Sequence, residues 1–80
     1  MIVEVKAPSL SLHVDVRCEE TGTVGEFKEA VCLLIQKMIG EEEVPDRKYD
    51  LYLSDRSMRL SDDTKLAVLG ISGGSKFLLI

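Results

Sequence analysis

The sequence predicts an α+β fold: a mixed sheet of four to five strands with one long helix across a single face. Three observations predict it. Two alternating apolar–polar runs open the chain, at Met1 to Ala7 and at Leu10 to Arg17. A stretch of helical period follows, from about Val24 to Ile39. Alternation then returns, at Tyr49 to Leu53 and at Lys76 to Ile80. Strands on both sides of one helix pack most economically as one sheet with the helix laid over it.

Each element has a local cause. In MIVEVKA, Met1, Val3 and Val5 fall on one face, and Ile2, Glu4 and Lys6 on the other. Pro8-Ser9 breaks the run, and LSLHVDVR alternates again, so the pair reads as a hairpin. Val24, Phe27, Val31, Leu34, Ile35 and Met38 then form one helical stripe. Thr23 with Glu26 three residues on is a capping box, and Gly40 suits a left-handed C-cap. Glu41, Glu42 and Glu43 read as a solvated loop. Adjacent carboxylates there do not converge on one point, and no histidine accompanies them.

Beyond the loop, Tyr49, Leu51 and Leu53 share one face, with Asp50 and Tyr52 on the other. SDRS turns the chain, MRL makes a short returning strand, and SDDTKLAVLG a helical turn. Ser61, Asp62 or Asp63 is expected to cap that turn, and Gly70 to end it. Residues 76–80 make the last strand.

The bulk properties narrow the function. Eighty residues suffice for one domain, 1–80, and show neither a repeat nor a linker. The composition is globular, at 45% hydrophobic and 30% charged. The sequence lacks the run of about 18 apolar residues that a membrane span needs. Glu4 sits where a secretory signal would be basic or apolar. Ten basic and fourteen acidic side chains give a net charge of −4, without a basic cluster dense enough to track a phosphate backbone. Neither nucleic acid nor membrane is an expected partner. Cys18 and Cys32 lack a CxxC spacing and read as free thiols in a reducing cytosol, which implies a cytoplasmic protein.

A catalytic or metal site is not expected. His13, the one histidine, lies on the polar face of a strand. No nucleophile elbow, phosphate loop or metal-ligand spacing occurs, so neither an enzyme nor a cofactor is expected.

The order of elements, with particular residues, resembles the ubiquitin-like β-grasp family over nearly the whole chain. MIVEVKA is similar to the family's first strand, and TVGEFKEAV to the start of its helix. VPDRK resembles the Pro-Asp segment after that helix. LSDDTKLAVLGISGGSKFLLI resembles the family's acidic turn, Leu-Gly-Ile step, tight turn and closing apolar strand. Two features depart from ubiquitin itself. The helix is about one turn longer, through CLLIQKMIG, and the chain stops at Ile80 where that strand ends. Small accessory proteins of bacterial type VII secretion systems are similar in both respects.

The Gly73-Gly74 pair poses the sharpest question. In a covalent modifier such a pair ends a flexible tail. Here it precedes the closing strand, and glycine supplies the positive φ of a tight turn. Cleavage after Gly74 would remove Phe77 and Leu79, each contributing about 1.5–3 kcal/mol of burial. The pair is therefore expected to be a turn. A modifier truncated before its tail remains an alternative, as does the secretion accessory subunit.

Function is expected to reside in a docking surface. Parity puts Phe77 and Leu79 inward and Leu78 and Ile80 outward, with Tyr52 also outward. The resemblance implies that the two strands are neighbours. Tyr52, Leu78 and Ile80 would then form one apolar patch for a protein partner, with Lys76 and Arg59 as a polar rim. Leu33 lies about 140° from the centre of the helix stripe at 100° per residue. It is either a stray exposed leucine or part of a second interface. Such a patch predicts a monomer that binds its partner weakly, in the micromolar range or above.

Overall fold

The computed structural model describes residues 1–40 and 44–80. Its strands are β1 (Ile2–Ala7), β2 (Leu12–Arg17), β3 (Leu51–Leu53), β4 (Met58–Leu60) and β5 (Lys76–Leu79), with α1 (Val24–Ile39) between β2 and β3. The five strands form one mixed sheet in the order β2-β1-β5-β3-β4. The central pair, β1 and β5, is parallel, and the other neighbours are antiparallel. Short 3₁₀ turns at Pro8–Leu10, Asp46–Lys48, Ser54–Arg56 and Leu66–Leu69 link the elements.

Alternation sorts the sheet into two faces. Val3, Val5, Ala7, Val16, Leu51, Leu53, Leu60, Phe77 and Leu79 are buried on one of them. α1 adds Val24, Phe27, Val31, Cys32 and Ile35 to the same cluster. The rings of Phe27 and Phe77 meet at 5.3 Å between centroids, inclined at 50°, so the helix and the last strand lock together at the core's centre.

The ends of α1 follow the sequence. Thr23 Oγ1 accepts from the Glu26 N–H at 3.2 Å, and Glu26 Oε1 accepts from the Thr23 N–H at 3.1 Å. Gly40 closes the helix in the left-handed region, at φ 69°.

Five expectations are corrected. Met1 precedes β1 and is partly exposed, because its backbone, not its side chain, ties the chain start to Cys18. Leu10 belongs to a 3₁₀ turn closed by Ser11 in the left-handed region, so β2 begins at Leu12. Leu34 and Met38 stay 38% and 53% exposed. The buried arc of α1 is centred about 40° away from the predicted stripe, toward Lys28 and Cys32, at 100° per residue. Lys28 explains the rotation. It is 4% exposed, and its ammonium donates to the Tyr49 carbonyl at 3.0 Å and pairs with Asp62 at 2.9 Å. Those bonds, with buried Val44, hold the helix toward that side.

The aspartates do not cap the turn after β4. The 3₁₀ turn starts at Leu66 with Lys65 before it, and no side chain caps it. Asp62 instead pairs with Lys28, while its carbonyl accepts from the Gly25 N–H at 3.0 Å. The expected loop at Glu41 to Glu43 lies outside the described residues.

Gly73-Gly74 is a turn built into the sheet. The Ser75 N–H donates to the Ser72 carbonyl at 3.0 Å, and Gly74 takes φ 87°. The Gly74 N–H also donates to the Ile2 carbonyl at 2.9 Å, and the Ser75 carbonyl accepts from the Glu4 N–H. Both bonds anchor the entry to β5 against β1.

Candidate functional site

α1 covers one face of the sheet, and the side chains of opposite parity make up the other. On that open face none of the strand residues is buried. The registers define its central row. His13 stands opposite Lys6, Lys6 beside Leu78, Leu78 opposite Tyr52, and Tyr52 opposite Arg59. One residue from each strand contributes. Leu78 and Tyr52 are half-buried at the middle of the row, where neighbouring side chains on all sides shelter them partly.

Ile80 flanks this pair. It exchanges two backbone hydrogen bonds with Asp50, at 2.7 and 3.0 Å, which extends the β3–β5 ladder by one residue. That places Ile80 diagonal to Tyr52, within reach across the sheet. Its side chain is 53% exposed. Lys76 lies two residues before Leu78 on the same face, exposed and opposite Glu4.

The polar rim is partly self-paired. Arg59 Nη2 donates to Asp50 Oδ1 at 3.0 Å. That hydrogen bond, and the carboxylate charge behind it, push the guanidinium pKa further up, so Arg59 is a fixed cation. His13 Nε2 meets Glu4 Oε1 at 2.8 Å. Sequence reading put Lys6, Glu4 and His13 on the polar side of their strands but not at the patch. Only the parallel β1–β5 pairing reveals that Lys6 adjoins Leu78.

Leu33 does not join this site. It is 52% exposed on α1, which covers the face of the sheet opposite to that of Tyr52 and Leu78. It borders a shallow recess of about 200 Å³ with Cys32, Gln36, Val44 and Pro45.

The cysteines are held away from chemistry. Both are free and buried. Burial, reinforced by Asp46, pushes the Cys32 thiol up to about 11, and burial likewise raises that of Cys18. Neither is an activated nucleophile at neutral pH. Among the described residues, no three His, Cys, Asp or Glu side chains converge as metal ligands.

No protein-family model matches the chain, and no curated protein sequence does. Solved structures match well. The ubiquitin-like domain of an Arabidopsis thaliana protein is 27% identical with a TM-score of 0.76, covering all of this chain and 74% of that one. ATBAG1, crystallised in complex with HSP70, is 19% identical with a TM-score of 0.71. The match covers the whole of this chain but only 39% of ATBAG1. Sheet order, helix position and these likenesses agree: the chain has the ubiquitin-like β-grasp fold.

Proposed function

We propose that the protein is a non-enzymatic interaction module that docks a protein partner on the open face of its sheet. One observation carries the reading. Leu78 and Tyr52 are paired directly at the centre of that face, while the core is already complete on the other side. Neither side chain is needed to seal the core, and both keep exposed surface. Ile80 extends the apolar area, and Lys76, Lys6 and Arg59 supply its charged border. The neighbours support the reading: one is a ubiquitin-like domain, and the other, ATBAG1, is seen assembled with another protein. The type VII secretion and covalent-modifier readings gain nothing from either neighbour.

The affinity should be modest. A patch burying on the order of a few hundred Å² of apolar surface yields several kcal/mol at about 25 cal/mol per Å². Association entropy offsets much of that, which leaves a dissociation constant of roughly micromolar or weaker.

The test is paired capture of binding proteins from the source cell by the wild-type chain and by Leu78→Asp. A partner retained by the first and lost by the second, with the variant's amide spectrum still folded, supports the proposal. Equal retention by both rules it out.

A further inference from the structure

The charges around Leu78 are not balanced. Lys6 stands directly beside it, and Lys76 lies two residues before it on the same strand face. Two acids of the open face, Glu4 and Asp50, are engaged elsewhere. Glu4, although directly opposite Lys76, gives its oxygen to His13 at 2.8 Å. Asp50 holds Arg59 at 3.0 Å. Among the described residues, neither Lys6 nor Lys76 has a carboxylate within 4.0 Å. Both lysines line a recess of about 240 Å³ together with His13, Glu4 and Ser54, over the strand at Phe77. Two lysines without a carboxylate partner among the described residues thus share one recess with Ser54 and the His13-bound Glu4, next to the apolar patch.

We infer that this recess is an anion subsite of the docking face. Lys6, Lys76 and the Ser54 hydroxyl receive a side-chain carboxylate from an acidic peptide segment, whose apolar residues lie on Leu78 and Tyr52. The inference rests on the docking role proposed above and names the partner's chemistry. His13 is a positioning residue within it: by occupying Glu4, it keeps that carboxylate from neutralising Lys76. A polyanion such as nucleic acid fits poorly. Glu4 and exposed Asp15 stand opposite each other on the same face, and the chain's net charge is −4. One carboxylate placed between two lysines meets a single acid, Glu4, whose oxygen is already held by His13.

The probe is a phage-displayed random peptide library, selected against the folded wild type, against Lys6→Ala/Lys76→Ala and against Leu78→Asp. The expected wild-type winners carry Asp or Glu beside apolar residues, and the double lysine variant loses the acidic excess. A selected synthetic peptide should bind that variant about three- to tenfold more weakly, with a flatter salt dependence. His13→Ala should also weaken it, and adding Glu4→Gln should restore it. The restoration is the readout that simple loss of a contact would not give. Winners that require Leu78 but lack an acidic excess would overturn the subsite and leave the docking face standing. An acidic excess that survives loss of both lysines would overturn it equally. Winners indifferent to Leu78→Asp, or no enrichment at all, would overturn the subsite and the docking face together.

Discussion

The two faces of the sheet are built from the same strands, whose residues alternate between them, yet the faces differ sharply in what they carry. Leu79 is fully buried beneath α1, while its chain neighbour Leu78 is half-exposed on the other side. The strands line the covered face with apolar side chains alone. The open face mixes Tyr52 and Leu78 with Lys6, Lys76, Arg59, His13 and their acidic partners. A small sheet needs only one apolar face to fold, so residues on the other are free to serve a partner.

Adjacent leucines give the largest contrast. Leu79→Ala should cost about 2–5 kcal/mol, a large part of a small domain's roughly 5–15 kcal/mol. Leu78→Ala should cost under about 1 kcal/mol while weakening partner binding. Urea midpoints of the two variants check this, and equal losses would erase the distinction between the faces.

Much of this division was legible in the sequence. Period-2 alternation sorted Phe77 and Leu79 from Leu78 and Ile80, and the box Thr23-Glu26 with Gly40 fixed both ends of α1. Two things were not legible. An apolar stripe does not include Lys28, whose buried stem and paired ammonium rotate the helix away from Leu34 and Met38. The β3–β5 adjacency that the resemblance implies is present, but the place of β1 in the sheet was hidden. Alternation says that Lys6 faces outward, but only a parallel β1–β5 pairing puts it beside Leu78. The candidate site was therefore half readable: Tyr52, Leu78, Ile80 and Lys76 share one face as expected, and Leu33 lies on the helix that covers the other.

The next contrast lies in how the covered face retains its helix. Asp62→Ala should cost about 1–3 kcal/mol, because it leaves the Lys28 ammonium buried with one partner instead of two. Lys28→Met added to Asp62→Ala should recover part of that loss, since no buried charge remains. A double variant less stable than Asp62→Ala alone would contradict this account of the helix rotation.

Smaller effects come from the start of α1. Thr23→Ala should cost about 1 kcal/mol by removing the cap. Gly25→Ala sets two effects against each other. Alanine gains about 1 kcal/mol of helix propensity. Its Cβ would meet the Asp62 backbone oxygen at 3.2 Å and the Asp62 Cβ at 3.1 Å. The backbone there is fixed by the Gly25 N–H bond to Asp62. The crowding should win, with a net loss readable as a lowered melting temperature. The smallest effect belongs to Leu34→Gln and Met38→Gln, each within about 0.5 kcal/mol of wild type by thermal unfolding. A larger loss at either would show that the helix buries them after all.

The most direct test of the central claim maps contacts on the folded chain. The ¹⁵N-labelled protein would be titrated with a partner that the wild type retains and Leu78→Asp loses. The account predicts that the largest amide shifts fall on Lys6, Tyr52 and Leu78, in three adjoining strands of the open face. Largest shifts at Leu33, Leu34 and Met38 would contradict it and move the docking surface to the helix.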